Sequence, residues 1–152
     1  MQSVKIKITE VILVFLITIW CIGIFWELVS SKYPNLVYYL PFLKYNYSIV
    51  CHTQPEKLLE VGSFKTLTCS RCTGIYLGGF LSGLIILIGF KKLISTKNLL
   101  FSSIPIFIDV IFYSVGFYSY SKYLALLTGL LLGSVGFIYI HNSIIELFDK
   151  QR

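Results

Sequence analysis

Four stretches of the chain are almost purely apolar, and each is bounded by charge. Val11–Trp26 (VILVFLITIWCIGIFW) holds no charged residue and ends at Glu27. Thr73–Phe90 (TGIYLGGFLSGLIILIGF) is also uncharged and lies between Arg71 and the pair Lys91, Lys92. Leu99 to about Ser119 carries a single acid, Asp109, and Leu124 to about Leu147 carries His141 and Glu146 towards its far end. A helix needs about 20 mostly apolar residues to cross the hydrocarbon of a bilayer. The pattern therefore predicts four spans, at about 9–28, 73–90, 99–119 and 124–147. The expected fold class is all-α: a single membrane domain, 1–152, built as an integral membrane bundle of four transmembrane helices. A long Tyr-rich, Cys/His-containing loop, 30–71, joins helices one and two.

Composition sharpens this picture. The 152 residues are 56% hydrophobic and 13% charged, against roughly 45–50% and roughly 25% in soluble proteins. Such a chain has too few polar residues to cover a water-exposed surface, which excludes an ordinary cytosolic enzyme. The net charge of +6, from 13 Lys+Arg against 7 Asp+Glu, would point to nucleic acid in a soluble protein. Here the basic residues stand singly or in pairs beside apolar runs, so the expected partner is the lipid bilayer and no nucleic acid. Lys5 and Lys7 before the first run also fit a secretory signal, but WELVSSK follows, with no small-residue cleavage site. Four spans put both termini on the side of the connection 91–98, which crowds Lys91, Lys92 and Lys97, against Lys122 alone in the third connection. The positive-inside rule then predicts the cell inner (plasma) membrane, both termini cytoplasmic and loop 30–71 outside.

Loop 30–71 opens with Tyr33, Tyr38, Tyr39, Phe42, Tyr45 and Tyr47 around two prolines, and Tyr118, Tyr120 and Tyr123 lie in the third connection. Tyrosines collect where a ring meets lipid and a hydroxyl meets water. The loop is expected along the interface, as a connector or as a lid over a lipid-soluble small molecule. Gly74 with Gly78, Gly79 with Gly83, and Gly129 with Gly133 are spaced for close helix approach, between spans two and four or in a homo-oligomer. Asp109 is costly in hydrocarbon and must face a partner, such as Tyr113 or Tyr76, or a water pocket. With its helix ending near Ser119, it is expected about 13 Å below the Cys72 end. His141 is expected as an interface histidine bonded to water.

The densest chemistry is Cys51 and His52 in SIVCHTQPEKL, followed by C-S-R-C at Cys69 and Cys72 directly before the second apolar run. Two cysteines separated by two residues can aim their sulfurs at one point, and Cys51 with His52 would complete a tetrahedral S/N set: a metal site of Cys51, His52, Cys69 and Cys72, with zinc as the cofactor. Adjacent residues of extended chain point to opposite sides, so Cys51 and His52 ligate one ion only if the backbone bends. Arg71 and a helix start beside Cys72 favour thiolate, which serves disulfide exchange as well as metal binding. The alternative is a quinone-coupled membrane thiol-disulfide oxidoreductase using Cys69 and Cys72. A further alternative is a transporter or a non-catalytic membrane subunit using Asp109. Arg71 and Asp109 are the candidate catalytic residues, and Cys21 reads as a small apolar residue within the first span.

CHTQPE followed by FKTLTCSRCTGIYLGGFLSG resembles the signature of a family of small prokaryotic integral membrane proteins of unknown function. In that family a Cys-His pair, a nearby proline and C-x-R-C-T-G-I-Y-x-G recur at the start of a span. The likeness runs from about Cys51 to Thr128, with Asp109, Thr128, Gly129 and Gly133 in matching positions. It implies a membrane protein in which Cys51, His52, Cys69, Arg71 and Cys72 carry functional weight, and it supplies no activity.

Overall fold

Each apolar run is helical in a computed structural model of the chain, which describes the backbone of residues 2–89 and 93–150 and the side chains of residues 7–89 and 93–147. The first helix, α1, covers Gln2–Ile24; it breaks at Phe25 (φ −96°, ψ 21°) and resumes as a short α2, Trp26–Lys32. A 3-10 turn at Pro34–Tyr39 leads into α3, Leu40–Val50, with proline at the start of each, where its missing N–H does no harm. After a second 3-10 turn at Pro55–Lys57, strands β1, Leu58–Val61, and β2, Phe64–Cys69, form an antiparallel hairpin. Helices α4, Ser70–Leu87, α5, Thr96–Ser114, and α6, Lys122–Lys150, complete the chain.

The expectation of an all-helical chain is corrected by this hairpin. Its signal was present: LLEV and FKTLTC flank Gly62-Ser63, and Gly62 takes φ +64°, which glycine reaches without strain. Both runs are too short to register against the long helical runs around them. Loop 30–71, expected as a connector or a lid along the interface, largely forms α3 and the hairpin. Glu27 holds it down, pairing with Lys44 at 3.0 Å and accepting the backbone N–H of Lys65 at 3.0 Å.

Among the described residues, four helices contain stretches long and apolar enough to cross a membrane: Lys7–Ile24, Ser70–Leu87, Thr96–Ser114 and Lys122–Leu147. Glycines dictate how two of them pack. The α4 and α6 backbones run parallel and touch, because a side chain added at Gly74 or Gly78 would strike Leu126 or Leu130, and one added at Gly129 or Gly133 would strike Arg71 or Ile75. α1 packs antiparallel on α4, with Val14 and Ile17 over Gly83 and Gly79. α5 lies against α6 and is otherwise exposed along Phe101, Phe107, Ile111 and Phe112.

The tightest core sits at the hairpin end, where Ile24, Tyr47 and Leu67 are buried against Trp20, Phe25, Trp26, Leu43 and Tyr76. The Tyr47 hydroxyl donates to the Trp20 carbonyl at 2.7 Å across the space that Gly23 leaves free. This core fixes α3, β2 and the start of α4 relative to one another, and so builds the platform for the cysteines.

Candidate metal centre

Three backbone segments converge at one point. Cys51 leaves α3 in extended conformation (φ −141°, ψ 132°), its N–H still bonded to the Tyr47 carbonyl at 3.0 Å. Cys69 ends β2 and caps α4, and Cys72 lies in the first turn of α4. The corner between β2 and α4 is locked by small polar side chains: the hydroxyls of Thr68 and Thr73 share a hydrogen at 2.9 Å, and Ser70 donates to the Lys57 carbonyl at 3.0 Å. All three residues are buried. The Cys69 N–H donates to the Cys51 sulfur at 3.2 Å, and the sulfurs of Cys51, Cys69 and Cys72 all lie within 4.8 Å of one another. The three are free thiols, Cys51 buried and the other two half-buried.

The trio is electrostatically uneven. Cys69 is held far below the usual thiol range because Cys51 and then Cys72 hydrogen-bond to its sulfur, with the Arg71 charge adding to the effect. Cys51, as donor to Cys69, is pushed up. The arrangement favours thiolate at Cys69, and a thiolate is the form that ligates a metal or attacks a disulfide.

The structure brings together three of the four expected ligands. His52 is exposed and stands outside the group of three. The extended backbone at Cys51 accounts for this, since consecutive side chains of extended chain diverge.

Asp109 finds a different partner from those expected. It is 3% exposed, and its carboxylate pairs with the Arg71 guanidinium and accepts the Tyr118 hydroxyl, rather than meeting Tyr113 or Tyr76. α5 stops at Ser114, not near Ser119, so Asp109 lies closer to the hairpin end than the sequence implied, within reach of the long Arg71 side chain. Burial, and then the hydrogen bond to Asp109, push Tyr118 up to about 12. Next to this pair the Lys57 ammonium stands 4.7 Å over the Tyr113 ring and 5.6 Å over the Tyr120 ring. Burial, and then the Cys69 charge, push Tyr120 up to about 12. Two polar atoms here are buried without a partner, Arg71 Nε and the Tyr120 hydroxyl. Tyr120 was expected only as an interface tyrosine, and Lys57 was given no role. Only the corner between the hairpin and α4 brings them beside the cysteines.

At the opposite end, His141 is not at a watery interface: it is 3% exposed, and its Nε2 lies 3.0 Å from Glu10 Oε1 of α1. Glu10 was also passed over. Beside the cysteine platform a largely apolar cavity of about 560 Å³ opens between α1 and α3, with Trp20, Trp26, Phe42 and Tyr47 among its walls.

Four long apolar helices and a thiol cluster at one end of them place the chain among membrane proteins. Over residues 51–139 it matches the family described as predicted membrane protein (DUF2085), and it belongs to that family. It is similar to an uncharacterized protein of Methanocaldococcus jannaschii, 31% identical over 110 residues that cover 69% of this chain and 70% of the relative. It is also similar to an uncharacterized protein of Methanothermobacter thermautotrophicus, 38% identical over 86 residues that cover 55% of this chain and 78% of the relative. No solved structure matches it significantly.

Proposed function

We propose that the protein is a four-span integral membrane protein whose thiol trio binds one zinc ion at the outer membrane face. The observation that carries this is the convergence of the Cys51, Cys69 and Cys72 sulfurs within 4.8 Å. Zinc–sulfur bonds of about 2.3 Å in tetrahedral geometry place sulfurs about 3.8 Å apart, so small side-chain rotations suffice. The ligands come from the end of α3, the end of β2 and the first turn of α4. One ion would thus tie together a loop that has only a small core of its own, and its binding energy would become folding energy. His52 is a candidate fourth ligand only through a turn of its backbone. The exposed apolar faces of α1 and α5 support contact with lipid. The lysines of the 91–98 connection support the cytoplasmic placement of both termini.

A second reading has its own support. The neighbours of Cys69 favour its thiolate, and the apolar cavity near Tyr47 suits a lipid-soluble ligand such as a quinone, as a thiol-disulfide oxidoreductase would need. The Arg71–Asp109–Tyr118 cluster supports a clamp between α4 and α5 better than a transport path, because the carboxylate already has two partners. Elemental analysis of protein purified in detergent separates the two main readings. Zinc binding predicts about one zinc per chain, lost on Cys69→Ser. A metal-free protein in which thiol trapping shows a Cys69–Cys72 disulfide that cycles with quinone would refute it.

A further inference from the structure

We infer that the fourth position of the three-thiol metal site is filled by an oxyanion of the phosphate class from outside the chain, received by the Arg71 Nε–H and the Tyr120 hydroxyl. This rests on the zinc reading above. Tetrahedral zinc takes four ligands, and a site with three protein ligands keeps its fourth position for an exchangeable one. Among the described residues only three ligand atoms converge, and His52 faces solvent.

Two buried groups beside the thiols lack partners, and both are hydrogen-bond donors. Unsatisfied buried polar groups are uncommon in folded proteins and call for an explanation. Arg71 stands between Cys69 and Cys72 in the turn that carries them, and it spends its Nη2 on Asp109. Its Nε–H is left over. Tyr120 reaches the same corner: its ring packs 5.5 Å from that of Tyr113, below the ammonium of Lys57, whose carbonyl accepts Ser70.

The unpartnered donors name the ligand class. Zinc held by three thiolates carries a single net negative charge, which together with Asp109 balances the two cations, Arg71 and Lys57. Two idle donors suit a ligand that offers several acceptors and no donors. An ionised phosphate or phosphate ester meets both conditions. Tyr120 lies in the connection between α5 and α6.

Tyr120→Phe is the cleanest probe, because the hydroxyl it removes makes no bond in the structure. The protein is loaded with cobalt in detergent, free cobalt is removed, and the sulfur-to-cobalt absorption bands are followed as inorganic phosphate is added. A parallel series uses bilayer discs of phosphatidylcholine with and without phosphatidic acid. The inference expects the bands to shift and saturate with phosphate or with phosphatidic acid; the arm that responds identifies a soluble or a lipid source. Tyr120→Phe should leave the bands intact and weaken the response roughly tenfold, as loss of a hydrogen bond to a charged group does. Arg71→Lys, which keeps the charge and loses the Nε–H, should weaken it similarly. Cobalt bands that respond to neither series, or that change on His52→Ala, would overturn the inference and leave the metal reading standing. Absence of cobalt bands would overturn both.

Discussion

Replacing Gly129 by alanine tests a close backbone approach between α6 and the start of α4. The added methyl would strike the Arg71 carbonyl oxygen and lie 3.1 Å from its carbon and 3.2 Å from the Ile75 nitrogen. Ordinary contacts between carbon atoms sit near 3.5–4.0 Å, so α6 must retreat by about 1 Å. The opposing atoms are backbone and cannot rotate away, which places the penalty at the upper end of the usual overpacking range, about 3 kcal/mol. Alanine returns up to about 1 kcal/mol of helix propensity, leaving a net loss of about 2 kcal/mol. Gly136→Ala is the control on the same helix: its nearest neighbour would be Leu99 Cδ1 at 3.9 Å, an ordinary contact. Its stability should hold or rise by up to about 1 kcal/mol. Thermal melts in detergent, followed by circular dichroism, should then separate the two variants by about 3 kcal/mol. Equal stability of the two, within about 0.5 kcal/mol, would mean that the α4 and α6 backbones do not touch at the cysteine end.

Asp109→Asn strands the Arg71 guanidinium and should destabilise by about 3–5 kcal/mol, whereas Tyr118→Phe removes one hydrogen bond and should cost about 1.5–3 kcal/mol; denaturant titration ranks them. If zinc is bound, a strong chelator should lower the melting temperature of the wild type and leave Cys51→Ala, already metal-poor, unmoved. Glu60 is held below its ordinary value, first by the hydrogen bond from Lys122 and then by the Lys122 and Lys65 charges. Its contribution is complete above the unfolded pKa of about 4.3 and is lost as pH falls through the lower folded value. Lys122→Met should therefore show a constant small deficit at neutral and alkaline pH that vanishes in acid, as melts across pH would record.

The helices were legible because an apolar run's length and its bounding charges are local properties, and four such runs leave little else for the backbone to do. Cys69 and Cys72 were legible for a similar reason, since the C-x-x-C spacing restricts where two sulfurs can point, whereas the fold had to bring Cys51 to them. The hairpin was overlooked because two short strands carry a weak periodic signal beside long helical runs. His52 was grouped with the thiols from its adjacency to Cys51, yet an extended backbone turns neighbouring side chains apart.

Amino-acid order alone determined that the chain is built from long apolar helices, that glycines recur four residues apart in α4 and in α6, and that two cysteines sit where a helix begins. Tertiary structure alone decided the partners: Arg71 with Asp109, Tyr120 beside Lys57, and Glu10 against His141 across most of the chain's length. The reason is physical. Burial of an apolar run is rewarded whatever covers it, whereas a buried charge or donor is tolerated only opposite one particular group, and which group stands there follows from how the helices are paired.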